Sequence, residues 1–588
     1  MKYPFLTELS TSSTTVDVFK GYNHNLRIGE DEFFDMRNMT SDYYPVLSPR
    51  RKRAKYLSLE QPQGLIEKDA LCYVDSGKLY INQYEVLDGL SVDYDENGEI
   101  LPKQLVSMGA YIIVMPDKMY VNTKNYTDKG HIENVRNTDG NTVTFTLTNA
   151  DGEDYGNYIP SAEAPQSPED GALWLDISSK PYSLKKWSES SEQWVSVLST
   201  YVKIACANIG LGFEVNDGVT ISGITAEGLT DLNATSVIWA KADDYIVVIG
   251  ILDGEAKTQT DTVTVSRTMP AMDFIVESNN RLWGCRYGYN NNNEVVNELY
   301  ACKLGDFKNW NCFMGISTDS YVVSLGSDGM FTGACSYLGY PTFFKENCLH
   351  KVYGSFPAQY QVQTTGCRGV QQGCSKSLAV VNEILFYKSR NGICAYDGSL
   401  PTEVSYAFGN EKYDSAVAGV HDSKYYVSMQ NLSKNEWQVF VFDTAKQMWH
   451  KEDEVRALDW CECKGDLFYI DAKDNCVYSV GGTGTEEPDK ISWMVETGNL
   501  GLSVSDKKYI SHMTVRMSLE IGTSVRFYVQ YDSSREWEHL FTMTGHSLRS
   551  FAVPIRPKRC DHFKLKIEGT GNAKIYSITK NMERGSDV

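Results

Sequence analysis

One phrase recurs along this chain and narrows the folds open to it: an apolar strand, a tight polar turn, then a strand carrying an aromatic–hydrophobic pair. It reads ALCYVDSGKLYIN from Ala70, LVSMGAYIIVMPDKMYVN from Leu105 and DFIVESNNRLWGC from Asp273. It returns as YLGYPTFFKENCLHKVYG from Tyr337, LAVVNEILFYKSRNGICAYDG from Leu378, VHDSKYYVSM from Val420 and CKGDLFYIDAKDNCVYSVGG from Cys463. Each copy is two short alternating strands about a Gly, Asn or Asp turn, which is the mark of a β-hairpin. Hairpins repeated at intervals of roughly 40 residues predict stacked β units rather than βαβ units. A β-propeller of five to seven blades fits best, because radial repetition leaves only short strand edges. WD-dipeptide, kelch and Asp-box signatures are absent.

The rhythm breaks between Asn125 and Pro270, where Pro160, Pro165 and Pro168 punctuate the chain and further strands such as YIVVIGIL follow. This predicts an inserted small β domain over 125–270, of one or two modules, dividing the propeller into 59–124 and 271–488. Longer alternating strands come next: MTVRMSLEI from Met513, SVRFYVQYD from Ser524, HFKLKIEG from His562 and AKIYSITK from Ala573. They predict a C-terminal β-sandwich of about eight strands over 489–588. Residues 1–58 are polar and poorly periodic, which predicts an extended N-terminal arm ending in Arg50, Arg51, Lys52, Arg53 and Lys55. The whole is all-β: 37 Tyr, 22 Phe and 11 Trp favour strands, and 588 residues exceed what one hydrophobic core can hold.

Charge and motifs exclude several classes. The 56 basic and 76 acidic residues leave a formal charge of −20, a field that repels a phosphate backbone and anionic lipid. The 14 cysteines form no CxxC pair; the nearest approach is Cys461-Glu462-Cys463, on one face of a strand. They read as small buried hydrophobes of a reducing compartment rather than a zinc or redox site. MKYPFLTELS has no apolar run long enough for a signal peptide, and no stretch approaches the ~20 apolar residues that span a bilayer. There is no GxSxG elbow, P-loop, HExxH or Rossmann fingerprint. The nine histidines are scattered, and acid pairs such as Asp243-Asp244 read as a solvated face. No catalytic group and no cofactor is therefore expected.

Two local features stay open. Asp93-Tyr94-Asp95-Glu96-Asn97-Gly98 matches the start of a calcium loop, but its twelfth position is Gln104 rather than a bidentate Glu; an Asp-Asn-Gly hairpin turn explains it more simply. The run Arg50, Arg51, Lys52, Arg53 reads either as an assembly contact for an acidic neighbouring subunit or as a solvated stretch keeping a linker extended.

The stretch GYNHNLRIGEDEFFDMRNMTSDYYPVLSPRRKR, from Gly21 to Arg53, carries a short glycine phrase, an acidic stretch, then Pro and basic residues. The middle of the chain adds NNRLWGC and NELYACKLGDFKNW between Asn279 and Trp310, FFKENCLHKVYGSFP from Phe343 and GCSKSLAVVNEILFYKSRNGICAYDG from Gly373. This arrangement resembles the β-propeller nozzle and tail-stabilisation proteins of short-tailed bacteriophages, over the arm and most of the propeller. The resemblance implies a structural virion protein, assembled in the host cytoplasm without enzyme activity. It implies a homo-oligomeric ring, commonly a hexamer, below the portal and adaptor, through which DNA passes without tight binding. Two other classes remain as alternatives: a receptor-binding or other tail component whose insertion or sandwich holds a host glycan, and a propeller glycosidase or lyase with carboxylates or a His converging at the central channel.

Overall fold

The computed structural model describes residues 11–290, 292–482, 490–545 and 547–584. Apart from four single-turn 3-10 helices, every regular element among them is a strand. The chain is an all-β protein: a β-propeller, an inserted small β domain and a C-terminal β-sandwich. Among the described residues no helix is long and apolar enough to cross a membrane.

Seven four-stranded antiparallel sheets follow one another as blades 1 to 7. Their first strands are Pro62–Glu67, Gln104–Met108, Phe274–Ser278, Gly333–Tyr337, Ala379–Val381, Tyr413–His421 and Ala457–Cys463. Each of the seven recurring phrases falls in one blade. The turns are as short as the dipeptides between strands require. Asn279-Asn280, Leu338-Gly339, Asn382-Glu383 and Lys464-Gly465 each join two strands with both residues at positive φ. That is the two-residue geometry whose twist matches the flanking strands. Central strands are buried on both faces: Tyr340–Lys345 and Ile384–Lys388 are buried after their first residue. Such runs arise where a sheet is covered on both sides.

The chain divides into two compact units. The first comprises Met1–Lys103, Phe344–Leu349 and Thr365–Val588. In it, Trp460, Leu467 and Tyr469 of blade 7 pack against Tyr426, Val439 and Val441 of blade 6. On its other face blade 7 sets Cys461, Cys463, Phe468 and Ile470 against Leu65, Leu71 and Tyr73 of blade 1. Each of these larger side chains contributes about 1.5–3 kcal/mol on burial. The contact is close enough to need a glycine: a Cβ on Gly419, in the first strand of blade 6, would lie 2.6 Å from the Trp460 Cβ. Blade 7 takes its fourth strand, Ala54–Ser58, from far upstream, paired with Cys476–Ser479.

The sandwich in this unit has nine strands in two sheets. Seven come from the C-terminal region and two from the N-terminal one: Thr11–Val16 pairs with Ala573–Arg584, and Phe33–Arg37 with Ser492–Thr497. This corrects the expectation of an extended N-terminal arm over 1–58. Its first ten residues lie outside the described residues, but 11–58 are hydrogen-bonded into the sandwich and the last two blades. The boundary expected at 488–489 also lies outside the described residues.

The second unit comprises Gln104–Phe343 and His350–Thr364. Blades 2 and 3 share a core of Ile113, Met115, Tyr120, Ile275, Leu282, Phe307 and Trp310. Between those blades in sequence stand thirteen strands in three sheets, from Asn134–Asn137 to Thr264–Arg267. One continuous core, with Phe145, Leu175, Leu184, Val202, Phe213 and Val265 at its heart, serves all three. Asp217, ion-paired with Arg267 and accepting from Asn309 Nδ2 at 2.8 Å, anchors this module to the loop of blade 3.

Candidate functional site

Arg50 and Arg53 are brought together by a short clasp. The strands Met39–Thr40 and Ser48–Pro49 pair, and Asn38 holds the approach in a left-handed conformation, φ 57°. Asn38 N–H donates to the Glu452 carbonyl at 2.7 Å, and its Nδ2 to the Ser492 carbonyl at 2.8 Å. The clasp lays both guanidinium groups on the acid pair that follows the last strand of blade 6. Arg50 reaches Glu452 Oε2 at 3.2 Å and Asp453 Oδ2 at 2.8 Å; Arg53 reaches the same two oxygens at 2.5 and 3.0 Å. The Arg53 side chain is 5% exposed and stacks 4.8 Å from the Tyr469 ring centroid. Burial works against its charge, and Asp453, Tyr469 and Glu452 together hold its pKa above the ordinary value. Arg51 and Lys52, between them, are exposed. Of the four expected contact residues, two are therefore structural inside the chain and two face solvent. The acid partners are not legible in the sequence, because nothing local separates Glu452-Asp453 from other acid pairs.

The same clasp seats Tyr22 N–H on the Trp449 carbonyl at 2.7 Å, and a Cβ on Gly21 would lie 2.3 Å from that oxygen. Beside it, Ser41 Oγ donates to Asp443 Oδ2 at 2.5 Å and Lys424 pairs with Asp42. His450 is enclosed here; burial, then the neighbouring Lys424 charge, drives its pKa down to about 3.

The other features read from the sequence are placed as follows. Asp95 Oδ1 accepts the amides of Asn97 and Glu99, each at 2.8 Å, which closes a turn. Asp93 accepts from Ser91 Oγ at 2.6 Å and lies 3.7 Å from the buried Lys103 ammonium. Cys461 and Cys463 share the core between blades 7 and 1, and burial raises both thiols. Among the described residues no three His, Cys, Asp or Glu side chains are grouped to hold a metal. Acids at bulges in two first strands are pinned by the fold: Asp459 accepts from Trp460 N–H and Lys376 Nζ, at 3.0 and 2.9 Å, and Asp414 from Ser415 N–H at 2.6 Å.

In the second unit an aromatic surface gathers around one loop. Asp319 Oδ2 accepts three successive amides, Met314, Gly315 and Ile316, at 2.6, 2.6 and 3.1 Å. Arg281 steadies the loop by donating to the Ser317 and Asp319 carbonyls. Phe313 and Ile316 are thereby held 53% and 46% exposed. They separate two cavities of about 430 and 560 Å³, one flanked by Tyr321 and Phe356, the other by Trp239 and Ile249.

No protein-family model matches the chain, and no curated protein matches it. Solved structures similar to it include an exo-β-1,3-galactanase from Phanerochaete chrysosporium, with TM-score 0.20 and 10% identity over 52% of this chain and 94% of that one. Another is a glycoside hydrolase family 43 arabinoxylan arabinofuranohydrolase from Bacillus subtilis, with TM-score 0.16 and 8% identity over 53% of this chain and 95% of that one. The expectation that the chain has no enzyme activity is withdrawn: it runs against these neighbours, several of which are glycoside hydrolases. At these TM-scores the likeness assigns no substrate or catalytic residue to this chain.

Proposed function

We propose that this chain is a structural component of the tail of a short-tailed phage, a nozzle-type subunit that forms a ring at the end of the head-to-tail DNA channel beneath portal and adaptor proteins. The observation that supports the reading most is the place of Gly21–Arg53. This stretch, which carries part of the family likeness, ties blades 6 and 7 to the C-terminal sheets. A subunit that conducts a packed genome works under load, and a segment knitted into distant parts of the body resists fraying. The charge of −20 agrees with a conduit: each phosphate neutralised by Lys or Arg adds a salt-dependent attraction that would retain DNA. Of the dense basic run, Arg50 and Arg53 are already neutralised within the chain.

Titration with duplex and single-stranded DNA at low and moderate salt tests this. The expected result is no saturable binding at physiological salt; submicromolar affinity at moderate salt would move the chain to the DNA-binding class.

A second reading rests on the exposed aromatic loop. Phe313, Tyr321, Phe356 and Trp239 around two adjoining cavities suit the apolar faces of a host saccharide. In that case the protein is a receptor-facing tail component or acts on the glycan. Phe313→Ala should then abolish binding to host cell-surface glycan while leaving the fold intact; unchanged binding removes this reading.

A further inference from the structure

A concavity of about 620 Å³ lies within the first unit, and its lining runs against the charge of the chain. Arg368, Arg390 and Lys412 converge there with one acid, Glu346, and the amides Asn347 and Asn391, in a protein of net charge −20. We infer that this cleft binds an acidic, hydroxyl-bearing ligand: a sugar acid or sugar phosphate of up to disaccharide size.

Local structure presents these groups. The Ser389–Gly392 turn joins the second and third strands of blade 5; the Ser389 N–H and hydroxyl both donate to the Gly392 carbonyl, at 2.8 and 2.9 Å. Arg390 and Asn391 stand at its tip. A Cβ on Gly392 would lie 2.0 Å from Ser405 Oγ, so the turn is fixed in place. Opposite, Gly369 N–H donates to the Glu346 carbonyl at 2.9 Å and Cys367 N–H to the Asn347 carbonyl at 3.1 Å, which locks Arg368 beside the blade 4 turn. The wall continues into a cavity of about 260 Å³ where Lys388 is buried, its ammonium donating to Gln371 Oε1 and the Ser389 carbonyl at 2.5 and 2.6 Å.

The cations are incompletely neutralised. Arg390 meets Glu346 only at 3.8 Å, with 68% of its side chain exposed. Arg368 pairs with Glu403 at 2.9 Å through Nη1, and its side chain is half exposed. Lys412 has no ion-pair partner among the described residues. Planar guanidinium groups match a carboxylate or phosphate bidentately, the asparagine amides supply donors and acceptors for hydroxyls, and the volume is that of a small-ligand site. Lining by Cys367 alone among apolar residues argues against a hydrophobic ligand.

Calorimetric titration of the full chain with digalacturonate, glucose 6-phosphate and neutral cellobiose tests the inference. At least one acidic probe should saturate at one per chain, cellobiose should not, and preference between the two acids identifies carboxylate or phosphate as the bound group. Arg390→Gln with Lys412→Gln should weaken binding at least about tenfold. Arg390→Lys should give a partial loss, and Arg51→Gln with Lys52→Gln no change. Thermal melting of each variant should match the parent, since the altered side chains are exposed. Failure of both acidic probes to saturate, equal binding of cellobiose, or full binding by the double variant would overturn it.

Discussion

Arg50 and Arg53 lie in a packed crevice on Glu452 and Asp453, with 11% and 5% of their side chains exposed, whereas Arg368 and Arg390 stand on turns with 50% and 68% exposed. The residue type is the same and the consequence is opposite. A buried guanidinium has lost its hydration and must be matched by fixed acids, so it acts as a structural tie. A guanidinium on a turn keeps its water and is weakly held by its acid neighbour, so it is available to a ligand. Charge in the sequence does not separate the two; the partner and its burial do.

Removing the tie should give the largest effect. Arg53→Ala leaves Glu452 and Asp453 buried without one of their two cations and should lower unfolding free energy by about 3–5 kcal/mol, read by denaturant titration. Arg390→Ala in the same assay should change stability by less than about 0.5 kcal/mol. A loss of similar size at both positions would break the contrast.

The turn that carries Arg390 should be sensitive at its base rather than its tip. Gly392→Ala forces a Cβ to 2.0 Å from Ser405 Oγ and 2.9 Å from Glu403 Oε1, and overpacking of this kind costs about 1–3 kcal/mol. It should also weaken binding in the cleft by displacing Arg390 and Glu403.

The buried side of the comparison has a pH signature. His450 is neutral in the fold down to about pH 3, while an unfolded histidine titrates near 6.5. The unfolded state therefore binds the extra proton in this window. Stability contributed by the neutral ring is complete above about pH 6.5 and should fall as pH drops toward 3, by up to about 1.4 kcal/mol per unit. His450→Gln should flatten that part of the profile; an unaltered slope would mean that other groups set it.

The smallest structural effect is expected from Arg51→Glu with Lys52→Glu. Both side chains face solvent, and the melting point should stay within the range of ordinary surface substitutions, under about 0.5 kcal/mol. Impaired incorporation into particles would mark them as the assembly contact. Reversing Arg50 and Arg53 as well would unfold the clasp by crowding four carboxylates together, so the full run cannot serve as the probe.

Much of the propeller is legible in the sequence because its information is local. Seven recurring phrases correspond to seven blades, and dipeptides such as Asn279-Asn280 and Asn382-Glu383 mark turns that need positive φ at both residues. The fate of residues 11–58 is not legible, because their partners are distant: Thr11 pairs with Glu583, and Ala54 with Ser479. An edge strand carries no mark of which sheet completes it. The basic run shows the same limit at the level of side chains, since its acids arrive from some 400 positions away. The cleft of Arg368, Arg390 and Lys412 is also assembled from separate turns, each unremarkable in isolation.

The central claim, a ring-forming tail component, is tested most directly by native mass spectrometry of the purified full chain at micromolar concentration. The account predicts a closed oligomer of identical copies, a hexamer on the proposed reading, persisting at physiological salt. A chain that remains monomeric under those conditions would contradict it.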